Sequence, residues 1–198
     1  MGLDLEYSDG QTPLDEDEKE GLLVRSVTTR GELDELEQLG VEQAVEFFLN
    51  KKISLEKLLS QDFIKELHYR MFREIWRWAG DYRTTNKNIG ADKFEIPIEL
   101  KNLLDDATFW INENVSSEDE IAIRVSHRLV KIHPFANGNG RHSRLYADIM
   151  ISNGFGKPVF SWGSKNLIKQ GEARSIYLKA LKAADENDYT ALIAFSRM

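Results

Sequence analysis

Apolar residues recur along most of this chain at helical steps, not in the alternation of a half-buried strand. After Thr29, whose spacing to Glu32 is that of a capping box, Leu33, Leu36, Val41, Ala44, Val45 and Phe48 keep helical intervals. Ser54 suits the cap of a short turn over residues 55–59. Phe63, Ile64, Leu67, Met71, Ile75 and Trp78 then form one stripe, and Gly80 suits its C-terminal end. Residues 82–96, YRTTNKNIGADKFEI, break the pattern with β-favouring residues around a turn-prone Gly-Ala-Asp, which predicts a short hairpin. Pro97 opens a further helix carrying Leu100, Leu103, Leu104, Ala107, Trp110 and Ile111. Ser117 and Glu120 make a second capping box before Ile121, Val125, Leu129 and Ile132. That helix should stop near His133, because Pro134 disfavours helical geometry in the residue before it. Helices are predicted again over 141–152, ending at Asn153-Gly154, and around 173–184 and 189–195. Thr12-Pro13 begins a short acidic helical segment. The fold class expected is all-α, a helical bundle with one short β-hairpin.

Composition narrows this. A length of 198 residues suits one domain, or one with an extension, and 41% hydrophobic residues are enough for a sizeable core. There is no cysteine, so disulfides, thiolate metal sites and cysteine nucleophiles are excluded, in agreement with a reducing compartment. The start, MGLDLEYSDGQTPLDEDEKEG, is acidic and unlike a signal peptide, and Glu6 stands where a myristoylation motif has Ser or Thr. No apolar run is long enough to span a membrane, so no membrane association is expected and a cytoplasmic setting is. A net charge of −7 argues against direct nucleic-acid binding but leaves room for a local basic site holding a small anion.

Such a site is written in residues 133–144, HPFANGNGRHSR, between two predicted helices. Glycines there let a ligand approach the main chain, and the start of the next helix offers unpaired N–H groups and the positive end of its dipole. Arg141 and Arg144 lie three apart, on one face of that first turn, and guanidinium forks suit phosphate oxygens. No GK[ST] follows, so this is not a Walker loop. His133, at the other rim, is a proton acceptor near neutral pH. A base beside a polyphosphate cradle points to transfer of a phosphorus group to a hydroxyl.

HPFANGNGRHSR resembles the motif of the Fic (Fido) family: His-Pro-Phe, two positions of which the second is usually Asp or Glu, Gly-Asn-Gly-Arg, two variable residues, and Arg. Residues 67–85, LHYRMFREIWRWAGDYRTT, are similar to the family's helix leading into its flap, and 126–135, SHRLVKIHPF, to the helix before the motif. FSWG at 160–163 and the tail 174–195 resemble the mobile mystery protein B subgroup. The resemblance implies a Fic-type helical bundle: an N-terminal helical extension over 1–50, with a regulatory role, and a core over 51–198 with a flap at 82–96 and C-terminal helices. It implies transfer of AMP from ATP to a Ser, Thr or Tyr hydroxyl of a target protein, with release of pyrophosphate. His133 is then the general base. Gly138, Asn139 and Gly140 form the anion hole for the α- and β-phosphates; Arg141 contacts phosphate and Arg144 clamps the γ-phosphate. Phe135 anchors the loop, and Thr84, Thr85, Asn86 and Lys87 of the flap hold the target segment as an added strand. Mg²⁺ is expected with the nucleotide, but Asn137 stands where the family has its metal-holding acid, so the protein itself should hold the ion only weakly.

Two further features bear on this. Many family members carry an inhibitory helix reading Ser/Thr, three residues, Glu, then Gly or Asn; Thr28 and Glu32 have the spacing, although Leu33 replaces the last position and a capping box already accounts for Glu32. Glu20-Gly21 has the acid and glycine but Glu16 in place of the hydroxyl residue. His68, His127 and His142 are expected to be structural or exposed, and the nine-residue gap from His133 to His142 matches no zinc spacing. The alternatives left open are another phosphorus-group transfer or removal of AMP at the same site, and a nucleotide-binding regulatory protein without turnover, partnered by a small protein.

Overall fold

A computed structural model describes residues 13–164 and 170–198. The start of the acidic N-terminal segment, through Thr12, lies outside the described residues. In chain order the helices are α1 Glu16–Lys19, α2 Arg30–Leu49, α3 Leu55–Leu58, α4 Gln61–Phe72, α5 Ile96–Asn112, α6 Glu118–Ile132, α7 Asn139–Ile149, α8 Gln170–Asp185 and α9 Thr190–Arg197. A π-helical turn, Met150–Gly154, prolongs α7.

Caps set most of these starts. Thr29 accepts from the Glu32 amide while the Glu32 carboxylate accepts from the Thr29 amide, so the predicted box forms at α2. Ser54, Ser60 and Ser117 each accept from the amide three residues on. Pro97 sits in the first turn of α5, where its missing N–H costs nothing.

α6 and α7 pair at the centre, flanked by α5 on one side and by α4 and α2 on the other. The core runs unbroken from Leu14 and Leu33 through Leu67, Leu103 and Leu129 to Ile149 and Leu192. Gly40 lets α2 press against α4: a Cβ there would lie 2.2 Å from the Met71 carbonyl oxygen.

Two predicted elements differ. The helix expected to reach Trp78 ends at Phe72, because the main chain beyond it is taken by residues 21–23. Leu23 N–H donates to the Ile75 carbonyl and Arg77 N–H to that of Gly21, around an antiparallel bridge of Leu22 with Trp76. The hairpin expected over 82–96 shows no strand pairing; the segment is an irregular loop up to the start of α5. Side chains hold it where a ladder was expected. Arg83, only 4% exposed, donates to the carbonyls of Thr85 and Ala91, Asn86 bridges to Asp92 and to the Lys93 amide, and Lys93 reaches the Thr84 carbonyl.

Candidate active site

Residues 133–138 link α6 to α7. His133 caps α6 in a left-handed conformation, φ 55°, and Gly138, φ 78°, opens α7. Gly138 has a second constraint, since a Cβ would lie 2.5 Å from the Phe72 ring. Between them Phe135 is fully buried and stacks on His68, ring centroids 3.7 Å apart. The Asn139 side chain closes the loop on itself, accepting from the Phe135 amide at 2.9 Å and donating to the Phe135 carbonyl at 2.8 Å. It therefore staples the loop, while the first-turn amides of α7, which have no intrahelical acceptor, are of the kind suited to an anion.

The His133 ring is buried, 7% exposed, with Nδ1 3.3 Å from the Val130 carbonyl oxygen. That oxygen can only accept, so Nδ1 carries the hydrogen and Nε2 the lone pair. Burial, with the cations Arg83 and Lys87 nearby, pushes its pKa down to about 4, so the imidazole is neutral across the physiological range. Arg83 Nε donates to the His133 carbonyl at 2.7 Å, tying the 82–95 loop to the base.

The two arginines are engaged by different elements. Arg144 lies against the Tyr177 ring of α8, 5.2 Å from its centroid, and close to Gly140. Arg141 reaches across to α2, where its Nη2 donates to Glu37 Oε2 at 2.5 Å. Glu37 is fully buried, and its Oε1 also accepts from Trp76 Nε1 at 2.7 Å and from Asn137 Nδ2 at 2.9 Å. This accounts for the amide at 137. A carboxylate there would meet the Glu37 carboxylate with no hydrogen between them, whereas the amide supplies one.

Glu37 was not singled out in the sequence, although the signal was present. It continues the Leu33 face of α2 one turn on, a carboxylate on an apolar stripe. Glu32, the candidate inhibitory acid, has its carboxylate occupied by the amides of Thr28 and Thr29 at its own helix start. The contact to a motif arginine is made by Glu37 in its place.

Asn137 does not build a protein-held Mg²⁺ site. It offers one neutral oxygen, its nitrogen faces Glu37, both Glu37 oxygens have donors, and among the described residues no group of three His, Cys, Asp or Glu could hold a metal ion.

The remaining histidines are structural, as expected. His68 accepts from the Gly80 amide through Nδ1, so its Nε2 donates to the Asn137 carbonyl at 3.1 Å; burial, then the neighbouring His142, hold its pKa well below the usual value. His142 faces the Ile64 carbonyl, and burial pushes its pKa down to about 4. His127 pairs with Asp185 beside a cavity of about 540 Å³ that touches none of residues 133–144.

Residues 58–151 match the model of the Fic/DOC family. Among curated proteins the chain is similar to Protein adenylyltransferase Fic of Drosophila grimshawi, 28% identical over 163 residues, covering 80% of this chain and 32% of that protein. The same name belongs to the Aedes aegypti relative, 25% identical over 163 residues, with 80% of this chain and 31% of that protein covered. The chain thus spans about a third of the length of these curated relatives. Among solved structures it resembles the BepC protein of Bartonella tribocorum with bound AMPPNP, with a TM-score of 0.66 at 18% identity over 86% of this chain and 87% of that one. It also resembles the N-terminal Fic domain of a Bartonella quintana effector with bound ADP, TM-score 0.66, 21% identity, covering 87% and 86%. At these identities the likeness is one of fold.

Proposed function

We propose that this chain, whose residues 58–151 match the model of the Fic/DOC family, transfers AMP from ATP to a Ser, Thr or Tyr hydroxyl of a target protein. The observation that carries this reading is the place of Nδ1 of His133, 3.3 Å from the Val130 carbonyl oxygen; since that oxygen only accepts, the hydrogen is assigned to Nδ1 and the lone pair to Nε2. Nε2 takes the proton of the target hydroxyl as its oxygen attacks the α-phosphorus. A phosphorus–oxygen bond to AMP forms, the bond from the α-phosphorus to the bridging oxygen breaks, and pyrophosphate leaves with that electron pair. The first-turn amides of α7, with Arg141 and Arg144, hold the charge on the phosphates. In this reading Mg²⁺ enters only as the counter-ion carried by the triphosphate, the cytoplasm supplies the ATP, and the 82–95 loop is the flap that receives the target segment, with Thr84, Thr85, Asn86 and Lys87 along it. The names of the curated relatives, and the AMPPNP and ADP bound to neighbours of the same fold, support it.

A second reading, a nucleotide-binding regulator without turnover, is favoured by one observation: Glu37 already occupies Arg141. Lysate incubated with the chain and α- or γ-labelled ATP separates the two. Protein-bound label from the α position alone is the expected result, and His133→Ala should abolish it while nucleotide binding persists. Label from the γ position alone would replace AMP transfer with phosphorylation, and nucleotide binding without covalent label would establish the regulator.

A further inference from the structure

Thr85 and Lys87, two of the flap residues expected to meet a target, are gripped from the N-terminal side of the chain. Glu18 of α1 is 7% exposed. Its Oε1 accepts from the Thr85 hydroxyl at 3.1 Å, and its Oε2 accepts from the Lys87 ammonium at 2.5 Å and from the Asp15 amide at 2.8 Å. Asp15 Oδ2 gives Lys87 a second acceptor at 2.9 Å, and the Pro13 carbonyl a third at 3.3 Å. A lysine ammonium has three hydrogens, and residues 13–18 offer all three an acceptor. The Lys87 side chain is only 4% exposed, an unusual place for a strongly hydrated charge and one that requires such partners. The hydrogen bond from Lys87 in turn holds the Asp15 carboxyl below the usual carboxylate range.

The gripping segment is itself anchored. Trp78 Nε1 donates to the Glu18 carbonyl at 2.9 Å, Arg77 N–H donates to the Gly21 carbonyl at 2.8 Å, and Leu14 is buried in the core. At its other end the loop reaches the base. Ala91 N–H donates to the Ile132 carbonyl, and Gly90 packs so closely that a Cβ on it would lie 2.7 Å from His133 Cβ. The internal bonds of Arg83, Asn86 and Lys93 already close the loop, so the contacts from α1 fix its attitude to the body.

We propose that Glu18 and Asp15 are positioning residues for target recognition: residues 13–20 clamp the loop through Lys87 and Thr85, and so set both the edge along which a target segment lies and the cover over His133. This rests on the transferase reading above. It assigns a role in target selection to a segment that precedes the family-matched residues 58–151.

The test uses the full chain with Lys87→Glu, which sets a third acid against Asp15 and Glu18, then Glu18→Lys, then both together. Amide hydrogen exchange over residues 83–93, read without ATP or target, should speed up by about tenfold or more in each single variant and return toward wild type in the double variant. Lysate protein, titrated as target at fixed α-labelled ATP, should show a raised apparent KM in the single variants. The KM for ATP should stay within about twofold, as expected when only target binding is lost. Lys87→Met keeps the stem and removes the charge; it should loosen the loop in the same direction and stands in where a charge reversal fails to fold. Unchanged exchange in Lys87→Met, or a double variant no better than the singles, overturns the clamp. The exchange arm needs no chemistry, so a wild type that transfers no label defeats the transferase reading and leaves the clamp to be judged on exchange.

Discussion

At the scale of single residues, the motif was legible because its chemistry lies in residue types: a histidine, glycines beside a helix start, two arginines. Glu37 shows in the sequence only as a carboxylate on the apolar stripe of α2; its role does not, because helical periodicity ranks positions by apolar character and gives no account of a buried acid whose partners come from elsewhere in the chain. The two facts meet at Asn137. Asn137→Asp would place a second carboxylate against Glu37 and remove the hydrogen now shared between them. It should therefore destabilise the fold near neutral pH and lead to no tighter Mg²⁺ site. In a Glu37→Gln background the same substitution meets an amide again. Denaturant unfolding of wild type, both single variants and the double should show Asn137→Asp costing less in that background, with a coupling energy of about 1–3 kcal/mol. Additive single effects would mean that the amide is indifferent to Glu37.

At the scale of elements, caps and stripes gave the helices, and two failures share one cause. Residues 73–78 carry a helical stripe, and 82–96 carry β-favouring residues, yet each finds main-chain partners elsewhere. Residues 21–23 take the carbonyl of Ile75 and the amide of Arg77, while Arg83 takes the carbonyls a hairpin would have paired. Such long-range and side-chain-to-main-chain bonds leave no trace in periodicity. Arg83 is accordingly the residue on which the loop's shape depends. Arg83→Lys keeps the charge but loses the planar fork that serves the carbonyls of Thr85, Ala91 and His133 at once. With two or more charge-assisted bonds lost, unfolding free energy should fall by about 2–4 kcal/mol. Faster exchange in residues 83–93 should accompany it, and an Arg83→Lys variant as stable as wild type would show the fork to be dispensable.

At the scale of the whole molecule, all four histidines of the sequence are buried, and each titrates below its usual value. Burial is the leading cause at every one, so the folded state keeps them neutral while the unfolded chain protonates them near pH 6.5. Between that value and about pH 4, where His133 and His142 titrate when folded, the unfolded state binds more protons, and stability falls as pH falls. One group opposes them. Burial raises the Asp148 carboxyl to about 7, although Trp162 and the Phe160 amide donate to it, so the folded state takes up that proton first and gains stability on acidification. Each group contributes at most about 1.4 kcal/mol per pH unit, and the histidines outnumber the one opposing carboxyl, so the net effect of acidification in this window is destabilising. Urea midpoints measured at pH 7, 6 and 5 should therefore drop steadily, and His133→Asn should flatten that slope by about one histidine's share. A midpoint constant from pH 7 to 5 would mean that the histidines take up protons while folded, His133 among them, and the neutral base on which proton transfer depends would be lost in the same range.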